Sequence, residues 1–339
     1  MPKFLDLSGS DQRLTIEQTA ARKGWTSSSV EKDFWVSWAL QQLFAMPALA
    51  PHLTFKGGTS LSKAWGLIDR FSEDIDLTIG RDALGFGGDN SPEKAPSAKQ
   101  RSKRLKALKV ACSEHVRNVV LPDLQERLAA IQALAPWSTV MDDEDPDAQT
   151  ILLRYPSHFD AQAARYLRPI VKIEFGARSD PWPMRDRMVR PVMADYFPQV
   201  LEESDVMVHA LAPERTFWEK AMLLHEERFR PADKPRRPRM ARHYYDLFRL
   251  IEQGIGASAL QDQNLFEQVA AHRQIFFAQS WVDYSTLRIE SLRILPREEQ
   301  EAAWRQDYAQ MQEEMFGAVP PAFDALLAAV RQFEADVTA

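Results

Sequence analysis

The spacing of hydrophobic and polar positions changes along this chain, and the changes divide it. In Ser72-Glu73-Asp74-Ile75-Asp76-Leu77-Thr78-Ile79 the two alternate, the two-residue period of a strand with one buried face. Before it, HLTFKGGTSLSKAWGLI reads as a short apolar strand, Leu53 to Phe55, a glycine turn, and a helix from Leu61 to Ile68. Upstream, a short helix is predicted over 11–24 and a second from Ser28, where Ser28 and Glu31 match a capping box. That second helix carries Val30, Phe34, Trp35, Trp38, Ala39 and Leu40 at helical spacing and is ended by Pro47 and Pro51. Residues 81–100 read as a loop, 98–134 as one long helix and 141–149 as an acidic turn; 151–155 and 167–175 are strands that can pair, and 206–209 is another. From Pro213 the period is helical: 213–228, 241–252, 260–278, 297–316 and 321–335. No internal repeat is present. The pattern predicts an α+β fold: a mixed β-sheet flanked by helices over 1–210, then an α-helical bundle over 211–339.

Composition narrows the class. Of 339 residues, 45% are hydrophobic, enough for packed cores. The net charge of −6 excludes a polycation that coats nucleic acid, so any such contact needs a local patch. The single cysteine, Cys112, allows neither an internal disulfide nor a cysteine-based zinc site. Apolar runs fall short of the ~20 residues of a membrane helix, and the N-terminus lacks a signal-peptide core. A cytoplasmic protein is expected, with no membrane partner.

The candidate chemistry sits in 55–79. Alternation turns Ile75, Leu77 and Ile79 to a core and sets Asp74 and Asp76 together on the opposite face, Cα atoms ~6–7 Å apart. Two carboxylates that close repel unless a cation lies between them, and Mg²⁺ takes a few carboxylates while leaving positions for phosphates. D-x-D is common, and taken alone the pair reads first as a solvated acidic turn. The preceding Lys56-Gly57-Gly58-Thr59-Ser60 opens a helix, and glycines with free N–H groups admit a phosphate. Only 13 residues separate Ser60 from Asp74, so metal and phosphates are expected in one place.

These residues resemble the nucleotidyltransferase fold of the DNA polymerase β superfamily, whose signature is Gly-Ser, a short helix and D-x-D. More narrowly, FKGGTSLSKAWGLIDRFSEDIDL is similar to the AbiEii/AbiGii toxin family. Val30-Glu31-Lys32-Asp33-Phe34, Arg215-Thr216-Phe217-Trp218-Glu219-Lys220 and Arg242-His243-Tyr244-Tyr245-Asp246-Leu247 extend the likeness over roughly 28–250. The chain departs from it twice. Gly-Gly-Thr-Ser replaces the usual Gly-Ser, leaving the serine role to Thr59 or Ser60, and His243 stands where many relatives carry an acid.

The resemblance implies a nucleotidyltransferase fold followed by the helical bundle, and a Mg²⁺- (or Mn²⁺-) dependent transfer of NMP from an NTP, releasing pyrophosphate. It makes Asp74, Asp76 and Glu174 the metal ligands, and Lys56, Gly57, Gly58, Thr59, Ser60 and Lys220 the nucleotide-binding residues. Catalysis would fall to Asp74, Asp76, Glu174, Lys220 and Asp246, the last two supplied by the C-terminal domain. Read without it, Glu174 fits a surface pair with Lys172, and Asp246 a helix–helix ion pair. Lys220 lies in an apolar stripe with Phe217, Leu223 and Leu224, where an ammonium needs an anion unless it snorkels out. The implied acceptor is the 3′ end of a tRNA, the outcome inhibited translation and growth in a toxin–antitoxin or phage-defence system, and the partner a cognate antitoxin. One sequence feature independently favours RNA: Arg228 to Arg242 holds seven basic residues, among them Arg230, Lys234, Arg236, Arg237, Arg239 and Arg242, against Asp233 alone. A second basic run, Lys99 to Lys109, opens the long helix. Two rivals stay open: transfer to a protein or a small molecule such as an aminoglycoside, and a non-catalytic nucleotide or partner binder. His225-Glu226 reads as surface, Tyr244 or Tyr245 as core or a base-stacking platform, and Cys112 as packed.

Overall fold

Leu53–Lys56 (β1) and Ile75–Ile79 (β2), the strands predicted on either side of the glycine turn, pair antiparallel inside a seven-stranded sheet in the computed structural model. The structure describes residues 3–131, 137–159, 168–315 and 319–338. The other strands are Ser138–Met141 (β3), Thr150–Arg154 (β4), Ile170–Gly176 (β5), Met184–Val189 (β6) and Val206–Leu211 (β7), in the order β3-β4-β5-β2-β1-β7-β6. The sheet is mixed, because β2 runs parallel to β5 and β1 parallel to β7. β4 and β5 pair antiparallel, as the alternation in both allows.

The chain divides into two units. The first is Met1–Ala64 with Phe71–Leu211; the second is Trp65–Arg70 with Ala212–Ala339. In the first, the helices are Gly9–Lys23 (α1), Ser27–Phe44 (α2), Gly57–Lys63 (α3), Ala98–His115 (α4), Leu121–Ala129 (α5) and Pro198–Leu201 (α6). α2 packs on β5 and β7 and is buried nearly all round, with Trp35 stacked on Tyr155. Ile75, Leu77 and Ile79 are fully buried, the face that alternation assigns to the core.

The second unit holds Pro213–Arg228 (α7), Arg242–Glu252 (α8), Ile255–Gln261 (α9), Gln263–Phe276 (α10), Glu298–Met315 (α11) and Phe323–Thr338 (α12). α7 packs against α8, α9 and α10, burying Phe217, Trp218 and Leu224. No helix of the described residues is long and apolar enough to cross a membrane.

Several predicted elements shift. α2 is capped by Thr26, whose hydroxyl accepts from Ser29 N at 3.1 Å, so the Ser28–Glu31 box does not form. The helix expected at 61–68 starts at Gly57 and ends at Lys63; beyond it Gly66 takes a positive φ and Trp65–Arg70 joins the second unit. β2 starts at Ile75, with Asp74 just ahead of it. The long helix 98–134 is interrupted by a wider turn at Val116–Val120, ahead of Pro122, and its last three predicted residues lie outside the described ones. So does Leu167, the expected start of β5, and residue 316 of the helix predicted over 297–316. The helix expected at 260–278 is Gln263–Phe276, capped by Asp262, while residues 260–261 end a separate helix, Ile255–Gln261, that the pattern did not predict. β3 and β6 were not predicted: β6, MRDRMV, is a sheet edge exposed at five of six positions, so no apolar period marks it.

Candidate functional site

The end of β1 and the start of β2 meet through glycine. Gly57 has φ +76°, a left-handed backbone that suits glycine. A Cβ built there would lie 2.0 Å from Asp76 Oδ2, so the backbone turn and the carboxylate are in direct apposition. Across the sheet, Asp76 is paired in register with Lys56 on β1 and Glu174 on β5. Thr59 is fully buried; its hydroxyl donates to the Asp74 carbonyl and lies 2.8 Å from Ser72 Oγ. That hydroxyl is committed to tying α3 to the residue before β2. Ser60 Oγ is buried with no hydrogen-bond partner among the described residues.

Gly57→Ala is therefore expected to act twice. The positive φ costs on the order of 1–2 kcal/mol for a side chain, and the new methyl displaces the Asp76 carboxylate. Denaturant unfolding should register the modest first effect, and any assay of the site a larger second one.

The carboxylates are crowded. Burial, then Glu73, Glu174 and Asp76, push the Asp74 carboxyl up to about 7, with Lys32 opposing. The folded form then holds that proton more tightly than the unfolded chain does. Ionising Asp74 costs stability as pH rises from about 4 to about 7. In a chelator, Asp74→Asn should raise the melting temperature at pH 7.5 and change it little at pH 4. An equal effect at both would remove the cause given.

Glu174 stands beside Asp76 in the register, yet its carboxylate is paired with Lys172 at 3.1 Å, and Lys172 also lies 3.6 Å from Asp142. Among the described residues, no three Asp, Glu, His or Cys side chains are placed to hold a metal ion. The donor chemistry still suits a hard divalent cation: crowded carboxylate oxygens, with the Asp74 carboxyl pushed up to about 7 by burial and then by its neighbours. Asp74 and Asp76 fit; Glu174 fits only after release from Lys172.

The Glu31-Lys32-Asp33 triplet is buried around this site, a role sequence reasoning missed. Lys32 pairs with Glu73, and Asp33 pairs with Lys63 while accepting from Val192 N at 2.7 Å. Glu31 accepts from Ser157 Oγ at 2.5 Å and His158 N at 2.8 Å. So the residue before Asp74 and the last residue of α3 are both anchored on α2. The available signal was three consecutive charges inside a helix with no polar face.

The second unit builds its own polar cluster. Lys220 Nζ lies 2.8 Å from Asp246 Oδ2, and both are buried, as is His243, whose Nδ1 is 3.5 Å from the same ammonium. Arg70, unmarked in the sequence reading, forks onto Asp246 with Nε–Oδ1 2.7 Å and Nη2–Oδ2 2.8 Å. Burial pushes the Asp246 carboxyl up, but Arg70 and Lys220 outweigh it and hold it well below the usual range. Burial lowers Lys220, with Arg70 adding to that and Asp246 opposing. Burial, then Lys220 and Arg242, keep His243 neutral.

The basic stretch is partly committed. Arg230 forks onto Glu227, and Arg236 approaches the same carboxylate at 3.4 Å while its guanidinium covers Trp304 at 3.7 Å. Lys234 lies over Trp281 at 4.5 Å; Lys234, Arg237 and Arg239 are exposed and Arg242 half-buried. Of the second basic run, Arg104 donates to Asp89 O and Ser91 O, and Lys109 pairs with Asp147. Tyr244 and Tyr245 are both buried, Tyr244 donating to Ile294 O at 2.8 Å, which excludes base stacking on them as they stand. His225-Glu226 is not surface either: Glu226 receives the Arg273 fork and the Tyr284 hydroxyl, and His225 Nδ1 accepts from Arg293 N. Cys112 is packed as expected.

Comparison with known proteins agrees with the motif resemblance. A family model described as nucleotidyl transferase AbiEii toxin, type IV toxin–antitoxin system, matches residues 38–329. No curated protein matches the chain. Among solved structures, the chain is similar to MenT4, a nucleotidyltransferase toxin from Mycobacterium tuberculosis H37Rv, at 16% identity and TM-score 0.51, covering 98% of this chain and 90% of that one. That likeness supports the fold, a mixed sheet flanked by helices. With the family match spanning well over half its length, this chain belongs to the AbiEii nucleotidyltransferase toxin family of type IV toxin–antitoxin systems.

Proposed function

We propose that this chain transfers a nucleoside monophosphate from an NTP to the 3′ end of a tRNA in the cytoplasm, blocking aminoacylation and growth until a cognate antitoxin counteracts it. The observation that carries the transfer chemistry is the apposition of the Gly57 backbone and the Asp76 carboxylate, beside an Asp74 crowded by three other carboxylates. Asp74 and Asp76 would hold Mg²⁺ or Mn²⁺, with Glu174 joining once freed from Lys172. When bound, the ion supplies charge stabilisation for the phosphates and the leaving pyrophosphate.

The chain's own residues do the rest. Gly57, having no side chain, seats the Asp76 carboxylate against the turn, and Gly58 places no side chain between the backbone and a phosphate. Ser60 offers the hydroxyl that Thr59 has committed elsewhere. Lys56, next to Asp76 in the register, contributes positive charge. The resemblance assigns Lys220 and Asp246 to the same reaction, Lys220 as a phosphate contact and Asp246 as its partner. Positioning and electrostatics carry most of such a transfer.

For the acceptor, Lys234, Arg237, Arg239 and Arg242 are the residues of the basic stretch that could meet an RNA backbone. The commitment of Arg230 and Arg236 to Glu227 favours a second reading, transfer to a protein or small molecule. Incubation with each labelled NTP, Mg²⁺ and total tRNA, a cell extract or aminoglycosides separates them. Label on tRNA supports the first reading, and label only on protein or drug replaces it. No label on anything rejects both.

A further inference from the structure

The segment Trp65–Arg70 is short, yet it is fastened to α8 by two ion pairs one helical turn apart. Asp69 Oδ2 meets Arg249 Nη2 at 2.8 Å, and Arg70 forks onto Asp246. The first pair is exposed on the aspartate side; the second is sealed, with Arg70 3% and Asp246 0% exposed. A buried ion pair offers little stability over an apolar replacement, so its retention here asks for another purpose.

The geometry supplies one. The Arg70 fork fixes the plane of the Asp246 carboxylate by holding both oxygens, one of which, Oδ2, is also the oxygen 2.8 Å from Lys220 Nζ. A carboxylate held by one cation alone can turn about its Cβ–Cγ bond; held by a fork it cannot. His243 Nδ1, 3.5 Å from the same ammonium, bounds it on another side. Around one buried anion there are two buried cations, with Arg242 close enough to depress Lys220 further. The cluster keeps an excess of positive charge, the condition for meeting an anion such as a phosphate group.

We propose that Arg70 is a positioning residue of the transfer reaction, fixing the Lys220 ammonium in place through the Asp246 carboxylate. This rests on the proposed function for its purpose and on the geometry alone for its effect on Lys220. A second cation beside Asp246 also explains why Lys220 is not simply neutralised by its partner: the aspartate is shared, so part of the ammonium's field stays available.

The test uses the full chain and the variants R70K and R70Q. Lys220 is acylated with trace acetic anhydride, and its rate is read by peptide mass spectrometry against exposed Lys234; nucleotide transfer is measured in parallel. R70K, which keeps the charge and loses the fork, should label Lys220 about tenfold faster, as one charged hydrogen-bonded contact is lost; R70Q should gain less, because it also removes the charge that lowers the ammonium's hold on its proton. Both variants should lose about a hundredfold in turnover, with KM for the NTP changed less. R70K is decisive because it keeps the charge and loses the fork. Wild-type labelling and turnover in R70K would reduce Arg70 to a charge and overturn the proposal, as would failure of R70K to fold, which marks a structural role. If R70Q alone does not fold, R70K decides. If the native protein transfers nucleotide to nothing, the functional reading fails, while the labelling rates still decide whether Arg70 positions Lys220.

Discussion

Asp76→Asn should abolish nucleotide transfer while leaving the fold intact or slightly firmer. The carboxylate lies against the Gly57 backbone, in register with Glu174, and beside an Asp74 that it helps to crowd. Removing one negative charge from that group relieves repulsion, so the melting temperature should hold or rise. The same change removes a ligand oxygen where the phosphate-bearing cation is proposed to sit, an interaction contributing several kcal/mol to the transition state. At about tenfold per 1.4 kcal/mol, turnover should fall by about 10³-fold or more. Few substitutions at a structural carboxylate separate stability from activity in this direction. Scanning calorimetry beside a labelled-NTP assay reads both. A variant that melts early and keeps proportionate activity would mark Asp76 as structural.

Asp246→Asn should do the opposite and destabilise the second unit strongly. The asparagine leaves Arg70 and Lys220 buried without their common counter-charge. Removing one partner of a buried ion pair costs about 3–5 kcal/mol. The pH dependence follows from the direction of the shift: Asp246 ionises more readily folded than unfolded. Its stabilisation is present above the unfolded value, near 3.9, and is lost only as pH falls below that. Urea unfolding should therefore show a large gap between native protein and variant at pH 7 that narrows at strongly acid pH. Pairing the change with Lys220→Met should recover part of the loss, because one uncompensated cation goes with it.

What the sequence disclosed, and what it did not, follows from the range of the interactions involved. β1, the glycine turn and β2 are set by spacing over a few residues and led to Asp74 and Asp76 directly, whereas the alternation in β5 pointed to Glu174 only once the family resemblance called for a third carboxylate. The AbiEii membership was also legible, since its motifs are short and contiguous. Hidden features depend on pairing across long separations. Arg70 and Asp246 are far apart in sequence, and nothing local distinguishes Arg70 from a solvated arginine. Glu31, Lys32 and Asp33 looked like a polar interruption of an apolar helix until Glu73, Lys63 and the 157–158 turn were seen to meet them. The basic stretch misled in part, because composition counts charges and cannot count the partners, such as Glu227 and Trp304, that engage them. His225-Glu226 misled for the same reason, its partners lying on distant segments.

The proposed function requires that Asp74 and Asp76, against the turn at Gly57, hold a divalent ion carrying a triphosphate. Electron paramagnetic resonance of Mn²⁺ titrated into the protein with non-hydrolysable analogues of the four NTPs tests it without requiring an acceptor. The native protein should bind Mn²⁺ in a manner that at least one analogue strengthens, and the folded Asp74→Asn, Asp76→Asn double variant should bind none. Equal binding by the two proteins, or no binding by either, would contradict it.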